Sequence, residues 1–250
     1  MDSPRLSIII ATWNAGSTLE RCLASVVGQS FREWELLISD GGSTDDTMAV
    51  VERHSRNVAW TRSGEDKGIY DAWNLALEHA KGHYVCFLGA DDALHSPHAL
   101  QEIFASIGNV DYDLVTLRGQ LRDGGWNAKQ VFGSSWMASG LPRHMNICHP
   151  GMLHRLTLFK KYGLFDTSYK VAADLDFLLR LPNSLRALHI PQVAVDVQDE
   201  GISRSRFWLR IKERRQVHAS LTGVGPVKAW LYWADKAWRR PIALLLGLPH

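Results

Sequence analysis

Two adjacent carboxylates, Asp91 and Asp92, directly follow an apolar run in the stretch YVCFLGADDALHSP, residues 84–97. The run Tyr84–Leu88 is predicted to be a buried strand, because it is short, largely apolar and bounded by glycines. Neighbouring carboxylates repel each other, so the pair needs a compensating partner. A metal ion, the N-terminus of a helix near Ser96, or plain solvation would each supply one.

Polar side chains also follow the other strands predicted in the first half of the chain. Thr12 and Asn14 follow the first strand, Asp40 follows the second, and Asp66 lies in the glycine-bearing segment after the third. In an open parallel sheet, ligands bind outside the carboxyl ends of the strands. We therefore expect these side chains at one binding edge, which makes plain solvation the weaker explanation for the Asp91–Asp92 pair.

An alternation of strands and helices positions these residues. The apolar patterns predict strands over 6–11, 34–39, 58–62 and 84–88, with helices over 17–29, 43–54 and 69–80 between them. We interpret the segment STDDT, residues 43–47, as the capped start of the second helix. This order predicts an α/β fold with a mostly parallel sheet and helices on both of its faces.

The second half of the chain has less regular patterns. Helices are predicted over 99–107, 156–162 and 174–181, strands over 114–117 and 185–197, and loops or a hairpin over 123–139. Two further helices are expected over 205–221 and 227–246.

The chain contains neither GxGxxG after the first strand nor a GxxxxGK[ST] loop, so neither dinucleotide nor P-loop chemistry is indicated. A nucleotide would have to bind through single carboxylates and a metal.

Two long stretches resemble a known family. SIIIATWNAGSTLERCLASVVGQSFREWELLISDGGSTDDT and EDKGIYDAWNLALEHAKGHYVCFLGADD are similar to the donor-binding half of family 2 glycosyltransferases, which have the GT-A fold. The similarity resumes at NICHPGMLHR, GLFDTSYKVAADLDFLLRL and EGIS, and it fades after about Ser203. The pieces LGADD and YKVAADLDF are similar to those of bacterial exopolysaccharide enzymes, including colanic-acid-type transferases.

The resemblance implies roles for the donor-side residues. Thr12, Asn14 and His149 would border the nucleotide sugar, and Asp40 would accept a hydrogen bond from the base, a uracil or its equivalent. Asp66 and Gly68 would lie over base and ribose, with Asn74 bracing that loop. Asp91 and Asp92 would match the DXD-type pair that holds ribose and a divalent metal, Mg²⁺ or Mn²⁺, with Asp92 as the direct ligand. The commoner form of this motif, DADD, has an aspartate where this chain has Gly89, which leaves one carboxylate fewer.

The chemistry of sugar transfer gives each acid a function. Departure of the diphosphate creates negative charge, which a divalent cation stabilises as a Lewis acid. The acceptor hydroxyl needs a general base on the opposite face of the sugar. The resemblance places Asp174 at the base position of an inverting mechanism and Asp176 beside it.

Simpler roles remain open for several of these residues. Asp174 would also serve as a helix N-cap, and Asp176 would pair with Arg180 at i+4. His149 is as readily structural as functional. The tryptophans at 13, 34, 60 and 73 are expected in the core, whereas Trp126 and Trp136 are the better candidates for stacking on an acceptor.

The charge of the chain is divided unevenly. The formal net charge is +2, but residues 201–250 contain ten Lys/Arg and two Asp/Glu, so the tail carries +8 and the remainder −6. Interleaved tryptophan, leucine and cationic residues between Val227 and Leu246 are typical of a helix on an anionic membrane surface, although packing on the domain or on a second subunit stays open. No nucleic-acid partner is expected. No signal peptide or spanning segment is recognised, so we expect a cytoplasmic protein, peripheral on the inner face of the cell membrane.

These observations together predict an inverting, metal-dependent glycosyltransferase. Its donor would be a nucleoside diphosphate sugar, and its acceptor a saccharide or a lipid-linked saccharide in polysaccharide or glycolipid assembly. The expected division is a GT-A-like domain over 1–203, with a donor half over 1–95 and an acceptor half over 96–203, and a basic helical extension over 204–250. A nucleotidyltransferase is disfavoured, because TWNAGST after the first strand lacks a basic residue. An inactive binding module of the same fold remains an alternative.

Overall fold

The protein is built on one mixed sheet, which we describe from a computed structural model for residues 3–136, 145–199 and 207–221. Within these residues nine strands run in the order β3-β2-β1-β4-β8-β6-β9-β5, and β7 pairs with β6. The strands are β1 Leu6–Thr12, β2 Trp34–Asp40, β3 Val58–Ser63, β4 Tyr84–Gly89, β5 Ala93–Leu94, β6 Leu114–Arg122, β7 Ala128–Phe132, β8 Leu153–Arg155 and β9 Ala187–Gln198. Strands β1 to β4, β6 and β9 share one direction. The sheet is mostly parallel, as predicted.

Seven α-helices flank this sheet in the described residues. They are α1 Leu19–Val27, α2 Thr47–Arg53, α3 Ile69–Leu77, α4 Ala99–Ile107, α5 Thr157–Tyr162, α6 Ala173–Arg180 and α7 Phe207–Leu221. The predicted α/β fold is therefore confirmed. Strands β6 and β7 form a hairpin around the glycines that follow β6, and the segment 185–197, expected to form strands, contains one long strand, β9.

Alternating side chains of the strands fill two cores, one on each face of the sheet. Ile8 and Ile10 of β1 face helices α1, α2 and α4, whereas Ile9 faces α3, α5 and α6. This alternation follows from the period of two in a β-strand. Both cores are needed because a parallel sheet is buried on its two faces. Cys22, Cys86 and Cys148 are free, buried thiols.

The register of the parallel strands aligns their carboxyl ends. Thr12 of β1 pairs with Asp40 of β2, Asp40 pairs with Ser63 of β3, and Ala11 of β1 pairs with Gly89 of β4. The polar residues that the sequence places after each strand therefore meet along one edge. We call this edge the carboxyl edge of the sheet.

The first part of the expected C-terminal extension is packed on the domain. Helix α7 begins at Phe207, and its Val217 is fully buried in the same core as α3, α5 and α6. For α7, the structure therefore shows the packing on the domain that the sequence left open as an alternative. The helix expected over 227–246 lies outside the described residues. None of the described helices is long and apolar enough to cross a membrane.

Candidate active site

A buried carboxylate, Asp40, joins the ends of three strands. Its Oδ1 accepts hydrogen bonds from Thr12 Oγ1 (3.0 Å) and Ser43 Oγ (2.5 Å). Its Oδ2 accepts from Gly42 N, Ser43 N and Ser63 Oγ at 3.1, 2.9 and 2.6 Å. Burial alone raises the pKa of Asp40, but these hydrogen bonds outweigh it and lower the pKa below its ordinary value. The carboxylate is thus ionised and internally satisfied.

The hydrogen bonds of Asp40 give it a structural role. A carboxylate offers about four lone-pair sites, and five donors point at this fully buried one. Asp40 therefore supports the edge from beneath, and its contact with the base stays a prediction. Thr12, which is 4% exposed and donates to Asp40, has the same supporting role.

The segment STDDT does more than cap α2. Thr44 N donates to Asn14 Oδ1 at 2.9 Å, and Asn14 N donates to Ser43 Oγ at 2.8 Å. Asp45 accepts both from Gly16 N and from Thr47 N, each at 3.0 Å. The loops after β1 and β2 are therefore tied together. The side chain of Asn14 supports the neighbouring loop, and its place beside the nucleotide stays a prediction.

Asp66 is the carboxylate that lies over the end of β2. Its Oδ1 accepts from Gly68 N at 2.7 Å, and its Oδ2 lies 2.9 Å from the point where a Cβ on Gly41 would sit. A side chain at position 41 would displace this carboxylate from its present position. Partial burial raises the pKa of Asp66. The loop at Gly68, whose φ is +117°, holds Asp66 at the carboxyl edge, and its contact with base and ribose stays a prediction.

Asp91 and Asp92 turn back onto the end of β4. A Cβ built on Gly89 would lie 2.6 Å from Asp91 Oδ1 and 2.8 Å from Asp92 Oδ2. An oxygen of each carboxylate therefore lies near the end of β4, in the space that a side chain at position 89 would enter. In this conformation the pair occupies the position that the first aspartate of the commoner motif would take.

The two carboxylates differ in their surroundings. Asp92 is 4% exposed, and it accepts from Gly89 N at 3.0 Å and Gln198 N at 3.2 Å. Burial and the charge of Asp91 raise the pKa of Asp92 to about 7. Burial also raises the pKa of Asp91, which the Arg21 guanidinium partly offsets. A divalent cation would relieve this repulsion, and Asp91 is the more accessible of the two for binding it.

The donor set fits a hard cation. Carboxylate oxygens suit Mg²⁺ and Mn²⁺, which commonly complete their coordination with water and substrate oxygens. In the part of the chain that the structure describes, no three His, Cys, Asp or Glu side chains form a group that could hold a metal.

Asp174 reaches the same edge from the second half of the chain. It lies in the first turn of α6, and its Oδ1 accepts from Tyr70 OH at 3.2 Å and from Leu175 N at 2.8 Å. Tyr70 belongs to α3, which begins directly after the Asp66–Gly68 loop. Asp174 is only partly buried. It is therefore held beside the donor loop without being enclosed.

The structure corrects the role predicted for Asp176. Its carboxylate is 7% exposed, and Oδ2 lies 3.1 Å from Arg180 Nε. Arg180 also donates to the carbonyls of Tyr162 and Leu164. Burial raises the pKa of Asp176, and the charge of Arg180 opposes that rise. Asp176 is a buried ion-pair partner, as the i+4 alternative proposed.

Asn74 and His149 are also placed differently from the prediction. Asn74 Nδ2 donates to Phe165 O at 2.8 Å and its Oδ1 accepts from Phe165 N at 3.1 Å, so it braces the Phe165 turn instead of the Asp66–Gly68 loop. His149 is 6% exposed and lies among the rings of Trp73 and Phe87. Burial lowers the pKa of His149, which makes it a neutral part of the core wall.

The tryptophans divide differently from the prediction. Trp34, Trp60 and Trp73 pack on the cores as expected, whereas Trp13 is 71% exposed after β1. Trp126 stacks on the Arg21 guanidinium, whose carbon lies 3.5 Å from the ring centre, and Trp136 packs against the second core.

Sequence reasoning missed Trp13, Arg21, Tyr70 and Lys170 as parts of this site. Arg21 donates to the Asp91 carbonyl at 3.1 Å, and Lys170 Nζ donates to the Lys67 carbonyl at 2.5 Å. Only Trp13 had a signal in the sequence, because it lies between Thr12 and Asn14 at a strand end. The others reach the site from helices or distant loops, so only the folded chain brings them together.

Comparison with known proteins identifies a matching family and several similar enzymes. The model of the family described as "Glycosyl transferase family 2" matches residues 7–158. A PGL/p-HBAD biosynthesis glycosyltransferase of Mycobacterium bovis is 34% identical over 184 residues, which cover 72% of this chain and 70% of that protein. The chondroitin synthase of Escherichia coli is 26% identical over 92% of this chain but only 34% of its own length.

Solved structures share the fold at low identity. S. aureus TarS 1-349 in complex with UDP-GlcNAc has a TM-score of 0.67 and 19% identity, over 92% of this chain and 71% of that one. The mannosyltransferase PcManGT of Pyrobaculum calidifontis, in complex with GDP-Man and Mn²⁺, has a TM-score of 0.66 and 19% identity, over 94% and 70%. With the family match over more than half of its length, the chain belongs to glycosyl transferase family 2.

Proposed function

We propose that this protein transfers a sugar from a UDP-sugar to an acceptor hydroxyl, with inversion at the anomeric carbon. One observation carries the proposal. The carboxyl edge of the sheet holds a carboxylate pair, Asp91 and Asp92, while a separate carboxylate, Asp174, is tied to the Asp66–Gly68 loop through Tyr70. In this arrangement, the Asp91–Asp92 pair would hold a metal that stabilises the leaving diphosphate. Asp174 would take the proton of the attacking hydroxyl.

The donor nucleotide is assigned to the side of the edge formed by β1 and β2. Trp13 is exposed there and offers an aromatic face for a base, while Asp66 has a partly buried carboxylate for base or ribose. UDP is the preferred nucleotide, because TarS binds UDP and UDP-GlcNAc in a fold that this chain shares. GDP is the alternative, since PcManGT binds GDP-Man.

Asp91 and Asp92 are assigned to a divalent metal, Mg²⁺ or Mn²⁺. When bound, the metal supplies Lewis-acid stabilisation of the departing diphosphate. The chain's own contribution is the close approach of the two carboxylates at Gly89. The hydrogen bonds from Gly89 N and Gln198 N fix Asp92, and the carbonyl of Asp91 is held by Arg21.

Asp174 is assigned as the general base. Its Oδ1 is fixed by Tyr70 and Leu175, so the carboxylate is oriented before the acceptor arrives. Asp174 would take the proton of the acceptor hydroxyl as the oxygen bonds to the anomeric carbon, and the nucleoside diphosphate would leave from the opposite face. The guanidinium of Arg214 is a neighbouring cation, and its charge interacts with that of Asp174.

The acceptor is assigned to the class of saccharides and lipid-linked saccharides. Two relatives support this class by name, one in PGL/p-HBAD biosynthesis and one a chondroitin synthase. The +8 tail beside a −6 body would hold the protein at the anionic inner face of the cell membrane, where lipid-linked acceptors are found.

Neutralising the carboxylate pair tests the metal assignment. In Asp91→Asn and Asp92→Asn variants, we expect turnover to fall on the order of 10²–10³-fold, because the leaving diphosphate loses its cation. Calorimetry should also show that UDP binds no more tightly in Mn²⁺ than in EDTA. The control is Asp46→Asn, an exposed carboxylate on the neighbouring loop. Full activity of either variant, or of the wild type in excess EDTA, would sink the assignment.

Replacing Asp174 tests the base. Asp174→Asn keeps the shape of the side chain but cannot accept a proton, so kcat should fall by roughly 10²–10⁴-fold while UDP affinity stays within about threefold. The matched control is Asp176→Asn on the same helix. Because Asp176 is an ion-pair partner, this variant should lower the Tm and reduce kcat much less. A larger kcat loss at Asp176 than at Asp174 would reverse the assignment.

Vesicle binding tests the membrane surface. The full chain should sediment with phosphatidylglycerol vesicles at low salt and not with phosphatidylcholine vesicles, since each basic residue contributes about 1 kcal/mol near an anionic leaflet. A variant with Lys228, Lys236, Arg239 and Arg240 changed to Gln should lose this binding. Equal sedimentation of both proteins, or of neither, would contradict the proposal.

A further inference from the structure

Helix α7 places a buried carboxylate against the segment that precedes α6. Glu213 is 5% exposed, and its two oxygens accept separate hydrogen bonds. Oε1 accepts from Lys170 N at 2.9 Å, and Oε2 accepts from Val171 N at 2.8 Å. A buried carboxylate is costly unless it is hydrogen-bonded, so these contacts fix α7 and residues 170–171 relative to each other.

The segment held by Glu213 leads to both sides of the proposed site. Helix α6 begins at Ala173, and its next residue is Asp174. In the other direction, the side chain of Lys170 reaches the donor loop, where Nζ donates to the carbonyl of Lys67 at 2.5 Å. Lys67 lies between Asp66 and Gly68, so one short segment contacts the donor loop and carries the base.

A second residue of α7 lies on the same side of the site. The charges of Asp174 and Tyr70 act on the Arg214 guanidinium and oppose the lowering of its pKa that burial causes. Val217, one turn further on, is fully buried in the core that contains Tyr70 and Ala173. Helix α7 is therefore anchored next to α6 at several points, although it lies beyond the residues 7–158 that the family model matches.

We propose that Glu213 is a positioning residue, which holds residues 170–171 so that Asp174 and the donor loop are aligned with each other. This inference rests on the proposed sugar transfer, because it gives Glu213 its role through the base and the donor loop. On this account α7 completes the active site, and its carboxylate acts without touching a substrate.

Amide hydrogen exchange on the full chain tests the coupling without relying on activity. In Glu213→Gln, an amide group replaces one acceptor oxygen, so exchange over residues 64–72 and 166–176 should quicken at least about tenfold. Lys170→Met removes the ammonium but keeps the backbone contacts, so exchange should quicken over 64–72 alone. Gln216→Ala, an exposed change on the same helix, should alter neither segment. If Glu213→Gln leaves 64–72 unchanged, the coupling to the donor loop is refuted.

Kinetics test whether Glu213 acts through the base. Glu213→Gln should lower kcat by about 10–100-fold, and Glu213→Asp, which keeps the carboxylate, should recover part of that loss. The double variant Asp174→Asn/Glu213→Gln should be no slower than Asp174→Asn alone, because residues that act as one unit are not additive. Multiplying losses, or equal losses in the Gln and Asp variants, would overturn the proposal. A wild-type chain that transfers no sugar would refute the proposed function, while the exchange data would still decide the role of Glu213.

Discussion

The buried carboxylate of Asp40 is the constraint on which the site depends. Three adjacent strand ends contribute to its hydrogen bonds: Thr12 from β1, Asp40 itself from β2, and Ser63 from β3. Hydrogen bonds to a charged group are each worth about 1.5–3 kcal/mol, and a buried charge left without them is strongly destabilising. The loops after β1 and β2 are consequently fixed, and Asp66 can rest against Gly41 at a defined position.

A contrast between two kinds of carboxylate separates structure from chemistry at this edge. Asp40 has all of its acceptor capacity filled and a lowered pKa, which describes a finished structural element. An oxygen of Asp91 and one of Asp92 both lie beside Gly89, and the pKa values of the two carboxyl groups are raised. Raised pKa values of this kind collect at functional sites, because the protein leaves the compensating charge to a ligand. Asp40, whose charge is stabilised by hydrogen bonds, thus lies at the same edge as Asp91 and Asp92, whose mutual repulsion a cation would relieve.

The sequence was sufficient to predict those features of the fold that depend on local patterns of residues. The parallel strands, their helices and the edge that collects Asp66, Asp91 and Asp92 all follow from apolar runs that end in polar residues. Contacts between segments that are distant in the sequence could not be predicted in this way. The saturation of Asp40, the burial of Asp176 against Arg180, and the bond from Asn74 to Phe165 depend on packing that no spacing reveals. Glu213 was not predicted for the same reason. In the sequence it is one acid within a basic helix, and only the packing of α7 shows that it is buried.

The central claim is that the carboxyl edge of the sheet holds a nucleoside diphosphate through the Asp91–Asp92 pair. A crystal structure of the full chain with UDP and Mn²⁺, with the metal located by anomalous scattering, tests it most directly. The account predicts one Mn²⁺ within coordination distance of an oxygen of Asp91 or Asp92 and of the diphosphate, with the uracil between Trp13 and Asp66. UDP bound at another surface, or Mn²⁺ bound away from both carboxylates, would contradict it.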